Sequence, residues 1–133
     1  MLCDTSFVSV MQSAGLQQAW SEDVRKRLNA AVLAISVIAL AELRDGHIYA
    51  GWGATRCARA EQLIASYLLV PLDMATIDEC AALRAECRRT GIVVPDNDIW
   101  IAAVANVRGW PLVSCDGHFD LIPGVNHIKL ERP

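Results

Sequence analysis

The sequence lacks the long apolar run that a membrane-spanning helix requires. Its longest apolar stretch, residues 30–41, is interrupted by Ser36 and is well short of the roughly 20 residues that cross a bilayer. It also lacks a signal-peptide pattern, because Asp4 lies inside the would-be apolar segment and the first basic residue is Arg25. We therefore expect a cytoplasmic protein with no membrane partner.

The five cysteines include no C-x-x-C pair, and their odd number suits reduced thiols in a reducing compartment. On a predicted helix, Cys80 and Cys87 are roughly 10 Å apart along the axis, beyond the roughly 7 Å limit for a disulfide. We interpret these two cysteines as small core residues. A chain of 133 residues is long enough to fold without such bridges.

An excess of basic residues is also missing. The chain has 12 Lys and Arg against 15 Asp and Glu, which gives a formal net charge of −3. Proteins that bind nucleic acid usually carry an excess of Lys and Arg, so the overall charge gives no reason to expect that partner. Because 20% of the residues are charged and 53% are hydrophobic, a disordered or fibrous chain is excluded as well.

The composition instead predicts one compact domain over residues 1–133. Short apolar segments alternate with stretches of helical periodicity along the chain. This alternation predicts an α/β fold with a mostly parallel sheet of four to five strands and helices on both faces. The predicted strands are residues 1–3, 32–35, 69–72, 112–115 and 125–130.

Capping residues and glycines mark the predicted helix limits. Ser21 and Ser36 each begin a helix, and Gly46 is the predicted end of the second one. Thr76 begins a capping box for a helix that ends at Gly91. Further helices are predicted after Asp4, over residues 54–68, and over residues 99–107 with Asp96 or Asp98 as the cap.

Acidic residues directly follow two of the predicted strands. Asp4 and Asp116 each come after an apolar strand, and parallel strands all end at the same edge of a sheet, where ligands usually bind. Glu42 lies in a helix that is apolar almost all round, so we expect its carboxylate in the interior or a cleft, with a partner. Asp96 and Asp98 stand at the start of a later helix, near one end of a strand-helix unit.

Each acid has a structural alternative. Taken alone, Asp4 is better explained as a helix cap, and Asp116 is as easily the first residue of an Asp-Gly turn. Glu42 is the hardest to explain this way, because few Lys or Arg lie inside the apolar helices to neutralise it. The set as a whole favours a shared site over these separate explanations.

Three or four carboxylates at hydrogen-bonding distance repel one another unless a cation joins them. The cation that such a set favours is Mg²⁺ or Mn²⁺, held by carboxylates, water and substrate phosphate. An ion of this kind activates water and stabilises a phosphodiester displacement, which favours hydrolysis of nucleic acid. Zinc is less favoured, because the three histidines show no paired-ligand spacing.

Four segments, in a fixed order over nearly the whole chain, carry a family resemblance. They are Leu2-Cys3-Asp4-Thr5-Ser6, residues 35–43, residues 96–103, and Leu112-Val113-Ser114-Cys115-Asp116 with His118-Phe119 and Ile122-Pro123-Gly124. Together they resemble the PIN-domain ribonucleases, and within that family the VapC toxins of toxin-antitoxin modules. Cys3 departs from the pattern, because the family tends to have an aliphatic or other apolar residue there.

The resemblance implies a metal-dependent endoribonuclease, the toxin of a type II system, that cuts RNA through a water activated by Mg²⁺ or Mn²⁺. It implies that the catalytic and metal-binding acids are Asp4, Glu42, Asp98 and Asp116, with Asp96 as an auxiliary. Ser6 and Ser114 match positions where a small polar residue supports the site by hydrogen bonding. The implied partners are RNA, a cognate antitoxin and a second copy of the chain.

Other side chains offer contacts to RNA. Arg56 and Arg59 share a helix face and could bind phosphates, although a solvated face that pairs with acids explains them equally well. Trp52 could stack on a base, but packing under a loop is the favoured interpretation. We interpret His118, two residues after Asp116, as a surface-loop residue.

An alternative function is a regulatory phospho-acceptor or partner-binding domain on a similar sheet, without nuclease activity. Asp4 would be the acceptor, but such domains generally have paired acids at the first strand and a nearby lysine. The chain has only Lys26 and Lys129. Setting the four proposed ligands aside leaves 11 of the 15 acidic side chains against 12 basic ones, so a concentrated metal site explains the negative charge.

Overall fold

A computed structural model describes residues 1–13 and 15–133. Five strands form one parallel sheet in the order β3-β2-β1-β4-β5. They are β1 (Leu2–Cys3), β2 (Ala34–Ser36), β3 (Leu68–Val70), β4 (Leu112–Ser114) and β5 (His127–Lys129). The predicted α/β class and the parallel sheet are confirmed.

Six α-helices are present in the described residues, together with two 3₁₀ turns at Leu16–Ala19 and Gly117–Asp120. The helices are α1 (Thr5–Gln12), α2 (Glu22–Asn29), α3 (Val37–Tyr49), α4 (Ala54–Ile64), α5 (Met74–Thr90) and α6 (Asp96–Arg108). Among these described residues, no helix has the length and apolar character needed to cross a membrane.

Two predicted caps, both serines, are confirmed, and the acid Asp4 caps a third helix. Ser21 and Ser36 begin α2 and α3, and the Ser36 hydroxyl accepts a hydrogen bond from the amide of Ala39 at 3.1 Å. Asp4 begins α1 by accepting from the amide of Phe7 at 3.0 Å. The interpretation of Asp4 as a helix cap is therefore correct, and it leaves open a second role at the site.

The predicted end of α3 at Gly46 is wrong, because the helix continues to Tyr49. A glycine inside a helix costs about 1 kcal/mol relative to alanine. Leu43 and His47, on either side of it, are both buried, and their packing offsets that cost. The left-handed residue that follows the helix is Gly51, with φ of 64°.

The predicted start of α5 is also wrong. Asp73, not Thr76, is the cap, and its Oδ1 accepts from both the amide and the hydroxyl of Thr76, at 2.8 Å and 2.6 Å. Thr76 is fully buried and fills a place inside the first turn. The predicted end at Gly91 is confirmed, since this residue adopts φ of 73°.

Neither Asp96 nor Asp98 caps α6, which corrects a further prediction. Pro95 holds the cap position, so both acids lie in the first turn and their side chains are free for other contacts. The helix predicted over residues 54–68 ends at Ile64, because Leu68 pairs with the neighbouring strand in β3.

The core lies around the central strands β1 and β4, whose residues are fully buried, and around α6, which packs on α5. Along α6, Ile101–Ala105 is buried without interruption. Cys3, Cys80 and Cys87 lie in the core with free thiols, as predicted. This core fixes the carboxyl ends of the two central strands, after which Asp4 begins α1 and Asp116 begins a 3₁₀ turn.

Candidate active site

The candidate active site lies at the carboxyl ends of β1 and β4. These strands are hydrogen-bonded neighbours, and the amide of Asp4 donates to the carbonyl of Val113 at 3.1 Å. Asp4 therefore follows one strand and Asp116 the other at the same edge of the sheet. This is the edge where open parallel sheets usually bind ligands.

Three side chains meet at this edge, and we call them the acidic cluster: Asp98, Asp116 and His118. His118 Nδ1 lies 2.9 Å from Asp98 Oδ2 and 3.2 Å from Asp116 Oδ1. Each residue offers one ligand atom, and these atoms lie within 4.8 Å of one another. The cluster thus joins the first turn of α6 to the loop after β4.

The turn after β4 fixes the position of His118. The Asp116 carboxylate accepts a hydrogen bond from the backbone amide of His118 at 2.9 Å, which begins the 3₁₀ turn Gly117–Asp120. The turn places the His118 imidazole beside the Asp116 carboxylate, which caps that turn. The interpretation of His118 as only a surface-loop residue is therefore incomplete.

Burial and neighbouring charges change the pKa of Asp98. The pKa of Asp98 is raised to about 6, mainly because the carboxyl is removed from water; the charges of Asp116 and Asp4 also act to raise it, and the contacts with His118 act to lower it. Within the described residues, neither Asp98 nor Asp116 pairs with a lysine or arginine, and the basic side chain that both contact is His118. The cluster is therefore short of positive charge.

Asp4 lies outside the cluster and is only 4% exposed. Its Oδ1 accepts from the amide of Phe7 at 3.0 Å and from the hydroxyl of Ser6 at 2.8 Å. Burial raises the pKa of Asp4, and these hydrogen bonds lower it. The carboxylate is held rigidly, and its charge reaches Asp98.

Ser6 and Ser114 connect the two loops that carry the acids. Their hydroxyl oxygens lie 3.3 Å apart, and the amide of Cys115 donates to Ser6 Oγ at 2.9 Å. The amide of Asp116 donates to Ser114 Oγ at 2.8 Å. These contacts give both serines a supporting place beside Asp4 and Asp116.

Glu42, on α3, is half-buried and lies at the side of the cluster, outside it. Its carboxylate accepts hydrogen bonds from the hydroxyl of Thr5 and, at 2.7 Å, from the side-chain amide of Asn97. These two donors are direct sequence neighbours of Asp4 and Asp98. Glu42 also lines a cleft of about 300 Å³. The sequence pattern contained no signal for Asn97 as its partner.

The structure does not bring Asp96 to the cluster. Its side chain is 74% exposed, and Oδ1 lies 3.6 Å from Arg84 on α5. Asp96 and Asp98 are two residues apart, which is about 200° around a helix, so they face different ways. The implied auxiliary role of Asp96 therefore has no support from this placement.

Arg56 and Arg59 are exposed on α4 and line a cleft of about 640 Å³. Arg56 Cζ lies 3.8 Å from the centroid of the Trp52 ring, and Trp52 stacks on His47 with ring centroids 4.3 Å apart. Trp52 is thus packed within the loop region, in line with the favoured interpretation.

Comparison with known proteins agrees with this geometry. The family model described as PIN domain matches residues 1–125. The chain is 33% identical over 105 residues to ribonuclease VapC5 of Mycobacterium tuberculosis. The alignment covers 75% of this chain and 76% of the relative.

Two solved structures have the same fold over nearly the whole chain. VapBC2 from Rickettsia felis, bound to a DNA fragment from its promoter, aligns with a TM-score of 0.84 at 18% identity and covers 98% of both chains. VapBC-5 from Mycobacterium tuberculosis, a member of the VapBC family of toxin-antitoxin systems, aligns with a TM-score of 0.69 at 30% identity over 97% of both. The chain belongs to the PIN-domain family, in the group of the VapC ribonucleases.

Proposed function

We propose that this protein is a metal-dependent endoribonuclease and the toxin of a toxin-antitoxin pair. One observation carries the proposal: Asp98, Asp116 and His118 present ligand atoms within 4.8 Å of one another at the carboxyl edge of the sheet. The family supports the reaction, because the curated relative is a ribonuclease.

The donor set suits a divalent cation. The two carboxylates match the preference of Mg²⁺ and Mn²⁺ for oxygen ligands, and of these two ions Mn²⁺ is the one that accepts an imidazole nitrogen more readily. The pKa of Asp98, raised mainly by burial and also by the charges of Asp116 and Asp4, supports the fit, because no lysine or arginine of the described residues pairs with this carboxylate. A cation would remove the repulsion among these carboxylates.

The residues divide the work in the proposed mechanism. Asp98, Asp116 and His118 would hold the ion, and Asp4, fixed by Phe7 and Ser6, would add negative charge from outside the cluster. A bound Mg²⁺ or Mn²⁺ would lower the pKa of a water molecule and offset charge on the phosphate.

Glu42 has a different place in this mechanism. Thr5 and Asn97 hold its carboxylate at the side of a cleft. From there it can accept a hydrogen bond from a water molecule and orient it toward the phosphodiester, which is a role that a carboxylate outside the cluster can still perform. The participation of Asp4 and Glu42, with or without a water between them and the ion, is part of this proposal.

The proposed partners are a cognate antitoxin and a second copy of the chain. VapBC-5, which is 30% identical, is a member of a family of toxin-antitoxin systems. Val32, Ile48 and Val93 are large apolar side chains that are each more than two-thirds exposed, and a partner surface would remove them from water. Light scattering at micromolar concentration tests the dimer, and a strict monomer would contradict it.

The decisive experiment measures RNA cleavage against metal. We expect the purified protein to cut single-stranded RNA with Mg²⁺ or Mn²⁺, to stop when a chelator is added, and to resume when the metal is restored. The Asp116→Asn variant, purified identically, is the control for a contaminating nuclease. Cleavage that persists in chelator would contradict metal dependence, and absence of cleavage with either ion would contradict the nuclease.

The phospho-acceptor alternative has less support. The proposed acceptor, Asp4, is 4% exposed, and one of its oxygens already accepts hydrogen bonds from Phe7 and Ser6. A phosphoryl donor would have to reach a carboxylate that is enclosed and occupied. Incubation with a phosphoryl-group analogue should therefore give no mass shift at Asp4.

A further inference from the structure

A groove leads from the candidate active site along α3 and α4. The cleft of about 300 Å³ beside Thr5 and Glu42 is also lined by Gln12 and Trp52. The cleft of about 640 Å³ shares Gln12 and Trp52 with it and extends to Arg59. The two clefts therefore adjoin. We name the larger one the Trp52 groove, and the lining side chains that matter are Gln12, Gln17, Trp52, Arg56 and Arg59.

We propose that the Trp52 groove binds the RNA strand beside the phosphodiester that is cut, with its two arginines on phosphates and its two glutamines on an unpaired base. This inference rests on the proposed ribonuclease function and gives its substrate a binding site. The position of the groove supports this proposal, because the adjoining cleft is lined by Glu42 of the candidate site. His47, which lines the same cleft, lies five residues after Glu42 on α3, about 7.5 Å further by helical rise.

An aromatic column holds the guanidinium of Arg56 in place. Arg56 lies over the Trp52 ring, and Trp52 stacks on His47 with an angle of 14° between the ring planes. His47 Nε2 lies 3.1 Å from Oε1 of Gln12, which ties the column to α1. Stacking restricts the arginine while leaving its N–H groups free to donate to a phosphate. Trp52 therefore positions Arg56 and does not itself stack on a base.

The groove carries positive charge that the protein does not neutralise. Arg56 and Arg59 lie three residues apart on one face of α4. In the part of the chain that the structure describes, neither forms an ion pair, whereas Arg44 on α3 pairs with Glu61 at 3.0 Å. Two free guanidinium groups on one face suit the phosphates of a polyanion.

Two buried polar atoms of the groove have no hydrogen-bond partner among the described residues. They are Nε2 of Gln12, a donor, and Oε1 of Gln17, an acceptor. Both side chains line the Trp52 groove. Buried polar atoms are nearly always paired, so each of these two atoms calls for a partner from outside the described residues. The edge of an unpaired RNA base offers both a donor and an acceptor.

Binding of intact RNA tests the arginines. The Arg56→Ala/Arg59→Ala double variant is made in the Asp116→Asn background, and a short labelled single-stranded RNA of mixed sequence is titrated in chelator by fluorescence anisotropy. We expect Kd to rise about tenfold or more. The slope of log K against log salt should fall by about 1.4, because each of the two phosphates that the arginines neutralise accounts for about 0.7 of the slope on a single strand.

A matched variant removes the same charge elsewhere. Arg88→Ala/Arg89→Ala takes two arginines from the end of α5, outside the groove, and should change Kd less than about twofold. Equal losses of affinity in both double variants would overturn the groove in favour of general attraction. Unchanged RNA binding by the groove variant, together with loss of antitoxin from the copurified complex, would also overturn it and assign the groove to that protein.

Cleavage-site preference tests the glutamines. Gln17→Met keeps the length of the side chain and removes its polar groups, so it should redistribute cuts across a randomised RNA. The arginine variant should instead slow all sites alike, with a higher KM. An unchanged distribution for Gln17→Met would overturn base contact. If the wild-type chain cuts no RNA, the proposed function fails, and the anisotropy in chelator still decides the groove.

Discussion

Asp98 and Asp73 both stand at the N-terminus of a helix, yet their surroundings shift their pKa values in opposite directions. Burial and the charges of Asp116 and Asp4 raise the pKa of Asp98 to about 6. Hydrogen bonds from Thr76, with the charge of Arg108, lower the pKa of Asp73. The same residue type thus caps one helix and belongs to a cluster of acids at the next.

The difference lies in where each carboxylate finds its partners. At Asp73 the protein supplies them, through two donors on Thr76 and a guanidinium 3.3 Å away on Arg108. At Asp98 the neighbours are acids and one histidine, so full neutralisation requires something outside the chain. A strongly raised pKa beside other acids in a cleft is a general sign of a functional site.

Removing a cluster carboxylate should give the largest effect. Asp98→Asn and Asp116→Asn keep the shape of the side chain and remove its charge. Losing a residue that only supports a metal ligand can lower activity about 100-fold, so we expect losing a ligand itself to lower the cleavage rate by at least that much. Asp96→Asn is the matched control, because Asp96 faces Arg84 outside the cluster. Initial cleavage rates check this, and a comparable loss in Asp96→Asn would restore Asp96 to the site.

Removing the imidazole should have a smaller effect, on metal affinity. His118→Ala leaves both carboxylates in place, so we expect Mn²⁺ to bind about tenfold more weakly, with a smaller change for Mg²⁺. His127→Ala is the control, because that ring contacts Asp120 instead. Isothermal titration calorimetry measures both. Unchanged Mn²⁺ affinity in His118→Ala would mean that His118 only supports the carboxylates.

The smallest effects should appear in stability, with opposite pH dependence at the two aspartates. The folded pKa of Asp98, about 6, exceeds its ordinary value of 3.8, so its contribution to stability falls as pH rises through that window. Asp98→Asn should therefore raise Tm at pH 7 in chelator by several degrees, and less at pH 4.

Asp73→Ala should do the reverse. The folded pKa of Asp73 lies below 3.8, so its stabilising contribution is present above that pH and is lost as pH falls through the folded value. We expect a lower Tm at pH 7 and a shrinking difference below pH 4. Thermal unfolding followed by circular dichroism measures both variants, and parallel pH profiles would contradict the contrast between the two aspartates.

Strand order along the chain made much of the fold predictable. Each short apolar segment is a strand, and the rule that parallel strands end at one edge predicts that Asp4 and Asp116 lie on the same side of the sheet. This reasoning works because it depends on chain direction and burial, which a single sequence records.

Helix limits and side-chain directions were less predictable, because contacts between distant segments decide them. Thr76 has the pattern of a cap but is buried, and Asp73 takes that place. Asp96 and Asp98 look alike in sequence, and only Arg84 on the neighbouring helix shows which one faces away. The place of His118 was predictable from the local sequence, because a turn that Asp116 caps puts the residue two positions later near the Asp116 carboxylate.

β1 is the central strand of the sheet and precedes the other four strands in the chain. Its Leu2 pairs with Leu112, so the sheet closes only when almost all of the chain is available. Contacts between such distant residues make folding slow. Until β4 has been made and has paired with β1, Asp116 and His118 cannot reach this edge of the sheet, so the cluster forms late in folding.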